Sequence, residues 1–369
     1  MIQKQVPTYL KISKDLKAMI KAGAFEYDIP FCTEKSICEQ YNVSRITAKH
    51  AIDVLEKEGL IYRKRGVGSF VLDLNAQEMV NIFTPHNVII KSIALMIPFS
   101  IARGGIFTAI ESASNILSAS GIYLTLHVFN PGSQNERDML KDLYAGRTDG
   151  VIYYPSTGNL PTEILDLYCK DGKPVIIIDK PNPYKQFSSV VCDNFTGSYM
   201  VTSHVLAYGH KKICYLSRYT CEEVSSICQR YEGYKKALED RGGEAPRFVK
   251  IDSSLETSLD YPMLKHVINT LCQEGITAII CENDEVAFYV HMASRSLSLK
   301  PPEDLSITGF DNISWATTGS AQITTVSQDF SAIGQEIAHI LLQPEYHPIH
   351  KIVPVKLIPR NSTGPVPVR

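Results

Sequence analysis

No apolar run in this sequence reaches the ~18 residues that a membrane-spanning helix needs, and the opening MIQKQVPTYLKIS lacks the apolar core of a signal peptide. The chain is therefore expected in the cytoplasm, with no membrane partner. No CxxC pair occurs among its nine cysteines (32, 38, 169, 192, 214, 221, 228, 272 and 281). A zinc site or a disulfide framework is not expected, and reduced thiols in a reducing compartment are the better account. Cys221 and Cys228 stay open as a redox pair. Also absent are GxSxG, the GxxxxGK[ST] phosphate loop, HExxH and the GxGxxG dinucleotide fingerprint. Gly104 and Gly105 are too few to cradle a dinucleotide. No enzyme activity and no cofactor are expected, although carboxylates in a cleft could act as acids and bases. Tryptophan occurs once, at Trp315.

What is present fits a protein of several domains. At 369 residues, with 44% hydrophobic and 21% charged residues, the chain is an ordinary globular composition long enough for two or three domains. Its charge is uneven. Residues 1–72 hold twelve Lys or Arg against eight Asp or Glu, an excess of four positives, whereas the whole chain carries −2 and the remainder therefore −6. Positive charge is gathered at the N-terminal end, as a phosphate-binding domain requires.

The run from Thr33 to Val71 gives that charge a shape. Thr33 is placed to cap a helix through about Tyr41, with Ile37 and Cys38 on its buried side and Glu34 in its first turn. Asn42 and Val43 turn the chain. Ser44 caps a second helix, whose Ala48, Ala51, Ile52 and Leu55 recur at helical spacing, and Gly59 suits its C-terminal stop. Two short apolar segments, 60–62 and 69–71, flank the basic loop Arg63-Lys64-Arg65-Gly66-Val67-Gly68. Helix, turn, helix and basic hairpin form a winged helix, in which the second helix reads the major groove by its N-terminal residues Arg45, Thr47 and Lys49. The alternative for this charge is a solvated face on a protein-binding winged helix.

Residues Pro7 to Val71, above all VSRITAKHAIDVLEKEGLIYRKRGVGSFV, resemble the N-terminal domain of the GntR family of bacterial repressors. The resemblance implies a phosphate contact for Lys35 and a base-reading or phosphate-clamping place for Ser44, Arg45, Thr47 and Lys49. It also implies a wing made by Arg63, Lys64, Arg65, Gly66 and Gly68. Cys32 stands where the family usually has proline.

Residues 73–91 lose periodicity and read as a linker. Beyond them strands and helices alternate: strand 92–98, helix 105–120, strand 123–129, helix 134–145, strand 150–154, helix 161–171 and strand 174–179. After Asp193 and Asn194, which cap a helix through Ala207, a second series follows: strand 212–216, helix 230–241, strand 248–251, helix 260–274, strand 278–282, helix 285–297 and strand 306–310. Such units imply two parallel sheets with a cleft between them, and ligands bind such sheets beyond the carboxyl ends of their strands. Asp179 and Lys180, Asn283 and Asp284, and Asp311 stand at three of those ends. Carboxylates, an amide and an arginine fork suit a polyhydroxylated ligand. Each carboxylate taken singly also fits a helix cap or a loop ion pair, and Arg230 could merely pair with Glu232.

The stretches SHVLAYGHKKICYLS, RYEGYKKAL, CENDEVAF, LSITGFDN, TTVSQDF and VPVKLIPR make residues 92–369 similar to the effector domain of the LacI family, which shares its fold with periplasmic sugar-binding proteins. By that resemblance Asp179, Arg230, Asn283, Asp311 and Gln328 match sugar-binding positions, and Lys180 stands where some ribose-type relatives have an arginine. Where relatives often carry an aromatic pair, this chain reads FSIARGGIF, so Arg103 and Phe107 are the candidate contacts there. A GntR-type winged helix on a LacI-type domain resembles the arabinose-repressor subgroup of the GntR family. The expected architecture is thus multidomain: a winged helix-turn-helix over 1–72, a linker over 73–91, and an α/β two-lobed periplasmic-binding-protein-like domain over 92–369. Lobe 1 takes about 92–191 and 328–345, lobe 2 about 192–325 and 350–369. The implied function is a homodimeric repressor of carbohydrate-utilisation genes on a near-palindromic double-stranded operator, released by a monosaccharide such as arabinose or fucose. The alternatives are a nucleoside or sugar phosphate acting as corepressor, and a carbohydrate-binding protein that does not touch DNA.

Overall fold

The computed structural model of the protein describes residues 7–23, 29–58, 60–64, 67–71, 91–98, 105–130, 133–251 and 261–367. It comprises two compact units, Met1–Val88 and Ile89–Arg369. The expected linker, Gly59, Arg65, Gly66 and Arg103 lie outside the described residues, apart from Lys91, which opens a strand.

In the first unit, helices α1 (Thr8–Lys21), α2 (Glu34–Tyr41) and α3 (Arg45–Lys57) precede a hairpin of β1 (Ile61–Lys64) and β2 (Gly68–Val71). The first helix was not read from the sequence, although Ile12, Leu16 and Ile20 recur every four residues and are buried. The Thr33 hydroxyl accepts the Ser36 N–H at 3.0 Å while the Ser36 hydroxyl accepts the Thr33 N–H at 2.9 Å, a capping box built with serine. Ser44 caps α3 by accepting the Thr47 N–H at 3.3 Å. Ala48, Ala51, Ile52 and Leu55 pack with α1 and Ile37 in one core.

The hairpin reaches further into the basic segment than expected. Pairing runs from Ile61↔Val71 to Lys64↔Gly68, so Arg63 and Lys64 are strand residues and not loop. Gly68 sits at φ +149°, and a Cβ there would lie 2.8 Å from Pro30 Cβ. Internal packing therefore requires the glycine. Gly68→Ala is expected to destabilise this unit by ~1–3 kcal/mol, read as a lower denaturation midpoint; an unchanged midpoint would show that the 30–33 segment yields freely.

The second unit contains a six-stranded parallel sheet, in the order 350–353, 188–192, 175–178, 150–153, 91–97, 122–128. A four-stranded parallel sheet follows the order 306–308, 278–281, 213–217, 247–250. Strand 325–328 pairs antiparallel with 355–358. The central strands IALMI, VIII and AIIC are buried throughout, because helices cover both faces of a parallel sheet. Three crossings join the lobes, at 192–194, 328–330 and 353–355, since helix 330–341 and Val353 pack with the first sheet while Val326, Val355 and Leu357 pack with the second.

Three corrections follow. Strand 350–353 pairs with 188–192 in the first sheet, so it belongs to lobe 1 and not lobe 2. Strand 188–192 was missed because Ser188 and Ser189, both buried, interrupt its apolar run; their hydroxyls bond Tyr346 at 3.0 Å and His350 at 2.8 Å. In addition, helix 225–241 begins five residues earlier than expected, placing Arg230 in its second turn and not at its start.

Candidate functional site

A cavity of about 560 Å³ opens at the carboxyl ends of both sheets, with Asp179, Lys180, Arg230, Asn283, Asp311 and Gln328 in its wall. The backbone turns hard at two of these strand ends. Asp179 and Asp311 adopt φ +68° and +102°, values that non-glycine residues rarely take unless their surroundings hold them there. For Asp311 the restraints are explicit. Its N–H donates to Val326 O at 2.8 Å, its Oδ1 accepts from Gln328 Nε2 at 2.7 Å and from Arg230 Nη2 at 3.3 Å. The next residue, Asn312 (φ +56°), accepts from Arg360 Nη2 at 2.6 Å.

Arg230, 5% exposed, is the centre of the site. Its Nε donates to Asn194 Oδ1 at 2.8 Å, its Nη1 to the Glu282 carbonyl at 2.6 Å, and its guanidinium lies 3.7 Å over the Phe310 ring. Glu232 is not its partner but pairs with Lys235. On the opposite lobe Lys180 Nζ contacts Asp179 Oδ2 at 2.9 Å and lies 4.6 Å over the Tyr154 ring. The two carboxylates are tuned apart. Burial would raise Asp179, but Lys180 and Arg230, with hydrogen bonds from Lys180 and Tyr154, hold it below the usual range. Burial pushes Asp311 up to about 6, a rise that Arg230 and Gln328 only partly oppose. Beneath it, Asp284 is fully buried and pushed up to about 8 by burial and by the charge of Asp311.

Other expected contacts stand differently. Phe107 is 56% exposed and outside the cavity wall; the wall residue on that helix is its neighbour Ile106. Asn283 lines the cavity, yet its Oδ1 caps helix 284–296 by accepting the Val286 N–H at 3.0 Å, which leaves its amide nitrogen and one oxygen lone pair for a ligand. Sequence reading missed Arg218, Glu282 and Glu285, which also line the cavity. Arg218 Nε donates to Glu282 Oε1 at 2.6 Å and Nη1 to Glu285 Oε2 at 3.0 Å. Trp315 lines the wall too, packed against Phe288 and Tyr289 with ring centroids 5.1 and 5.7 Å away. Cys221 contacts Cys228, and burial together with that contact pushes its thiol up to about 12, away from the thiolate that redox exchange uses.

In the first unit, the N-terminal end of α3 presents Arg45 with its side chain 84% exposed and, among the described residues, engaged only by Glu34, at 2.7 Å. Lys49 is exposed, with no carboxylate within ion-pair distance among the described residues. Thr47 and Ser44 share a hydroxyl contact at 2.9 Å. Lys35 projects from α2, 87% exposed, 4.0 Å from Glu39. Lys64 is exposed on the hairpin. Arg63 is not: it turns back onto α3, where Asp53 and Glu56 (3.1 Å) bind it, and so it braces the hairpin. Ile46, 71% exposed beside Arg45, was missed; an apolar side chain at the reading end of such a helix fits the methyl group of thymine.

Residues 8–71 match the description of the bacterial regulatory proteins of the gntR family, and residues 202–363 match the periplasmic binding protein-like domain. The chain joins a gntR-family domain to a periplasmic binding protein-like domain. The arabinose metabolism transcriptional repressor of Geobacillus stearothermophilus is 26% identical over 373 residues, covering 98% of this chain and 99% of that protein. The protein of the same name from Halalkalibacterium halodurans is 26% identical over 90% of this chain and 88% of its own length. Among solved structures, a LacI family transcriptional regulator from Enterococcus faecium with bound ribose superposes with a TM-score of 0.63 at 26% identity, over 75% of this chain and all of that one. The gntR-family domain thus coincides with the basic unit carrying Arg45 and Lys49, and the matched part of the periplasmic binding protein-like domain carries Arg230, Asn283, Asp311 and Gln328. Among the described residues no helix is long and apolar enough to cross a membrane.

Proposed function

We propose that this chain is a transcriptional regulator that binds duplex DNA through its gntR-family domain and changes its operator affinity when a small polyhydroxylated effector occupies the cavity. The observation that carries the reading is the set Asp179, Arg230, Asp311 and Gln328 in one cavity wall, on a chain whose N-terminal domain presents Arg45 and Lys49 on an exposed helix end. Carboxylates, an amide and a guanidinium match hydroxyl groups, which both donate and accept. A neutral sugar, with arabinose and fucose the simplest candidates, is favoured over a sugar phosphate. Among the described residues the cavity's cations are Lys180, Arg218 and Arg230, and each already holds a carboxylate within 3.3 Å. A phosphate would have to displace one of those partners. The names of the relatives support repression; release by the sugar would need an effector coupling of only ~1–3 kcal/mol for a 5- to 150-fold change.

A near-palindromic operator calls for two copies of the chain. The outer strand of the six-stranded sheet, 122–128, leaves Tyr123, Leu126 and Val128 exposed and supports the second copy's seat there.

The test is operator binding as a function of salt, on a fragment selected from genomic DNA. Binding should fall steeply with salt, through release of counterions. Lys49→Ala and Arg45→Ala should each weaken it by ~10-fold. Equal affinity of both variants and parent, or binding indifferent to salt, would remove α3 from the interface.

A further inference from the structure

Resting on the proposed function, we infer that the cavity holds a second saccharide subsite, made by Arg218, Glu285 and Trp315 beside the Arg230 and Asp311 site, and that the effector is therefore a disaccharide or glycoside. The first support is size. A hexopyranose has a dozen heavy atoms and fills roughly 200 Å³ at protein packing density, against about 560 Å³ in the cavity. A single ring leaves most of that volume unused.

The second support is how the surplus is lined. Glu282 separates the two polar groups: its carbonyl accepts from Arg230 Nη1 at 2.6 Å, while its side chain, 1% exposed, accepts from Ser217, the Arg218 N–H and Arg218 Nε. Arg218 is thus pinned one residue away from the first site. Among the described residues, nothing takes the Nη2 hydrogens of Arg218 or the second oxygen of Glu285, and both side chains reach the cavity at 17% and 18% exposure. A fixed donor next to a fixed acceptor is the pairing a sugar hydroxyl satisfies in both directions. Trp315 adds an apolar ring to the same wall, held from behind by Phe288 and Tyr289. Flat aromatic faces meet the C–H faces of pyranose rings. The donor and the acceptor, 3.0 Å apart, and the ring line the same cavity as Arg230 and Asp311, outside the group of contacts that Arg230 makes.

The full chain is titrated by calorimetry and Trp315 fluorescence with L-arabinose, L-fucose, D-xylose, D-glucose and D-galactose, and then with cellobiose, xylobiose, arabinobiose and lactose. One disaccharide should bind at least ~30-fold more tightly than its constituent monosaccharide. In Glu285→Gln, which keeps the Arg218–Glu282 pair and so the fold, that affinity ratio should fall by ~10-fold or more; Arg218→Ala should reduce it similarly. A monosaccharide that binds as tightly as every disaccharide, or a ratio unchanged in Glu285→Gln, overturns the second subsite and leaves the proposed function standing. No binding in either panel overturns both.

Discussion

Arg230→Ala is expected to abolish effector binding, with a loss of at least ~100-fold, and to destabilise the second unit by ~3–5 kcal/mol. Arg230 is nearly buried and simultaneously ties Asn194 at 2.8 Å, the Glu282 carbonyl at 2.6 Å and Asp311 at 3.3 Å. Truncating it takes a donor from all three, and the Asp311 carboxylate keeps, among the described residues, only Gln328. The damage reaches the chemistry as well as the fold, because Arg230 is the main influence holding Asp311 down against burial. Without it Asp311 would carry a proton near neutral pH and lose acceptors for ligand hydroxyls. Arg230→Lys separates the two effects: it keeps the charge but cannot fork to three partners, so stability should partly return while affinity does not. Denaturation and ligand titration on both variants provide the check. Parental effector affinity in either would remove Arg230 from the ligand site.

How far such a residue was legible from sequence depends on the range of the interaction that fixes it. The capped helices 34–41 and 45–57 follow from Thr33, Ser44 and a buried face repeating at helical spacing, all local signals. Asp179, Asn283 and Asp311 were found by a topological rule, that polar residues at the carboxyl ends of parallel strands face the ligand. The same rule reaches Arg218, after strand 213–217, and Glu282, after strand 278–281. Arg63 shows the opposite limit. A count of positive charge marks it as a wing residue, yet Asp53 and Glu56 stand three apart on one face of α3, and the hairpin folds Arg63 onto them. Phe107 fails for a geometric reason: one step along a helix turns the side chain by ~100°, which puts Ile106 in the cavity wall and Phe107 outside.

Asp284 is marked by the sequence only as a polar residue at a strand end, with no sign of its burial, and it carries the second large expectation. Its Oδ1 accepts from the Thr325 hydroxyl at 2.5 Å and its Oδ2 from the Ile313 N–H at 2.8 Å, so it fastens the strained 311–313 turn to the strand that crosses between lobes. Burial, then Asp311, raise its pKa to about 8, far above the ~3.9 of an unfolded aspartate. The native state therefore keeps a proton that the unfolded chain releases. Stability from this group is complete below the unfolded value and is lost as pH rises through about 8, and Asp311 adds a loss of the same sign through about 6. Asp179, held low, acts oppositely and only in acid. Between pH 6 and pH 9 the melting temperature of the second unit should drop by ~5 °C or more. Asp284→Asn mimics the protonated acid, its amide oxygen accepting from Ile313 and its nitrogen donating to the Thr325 oxygen once that hydroxyl turns from donor to acceptor, and should remove most of that slope. A parent that melts at the same temperature across this range would mean Asp284 is already ionised when folded, and the 311–313 turn would then have to be held by charge and not by a neutral acid.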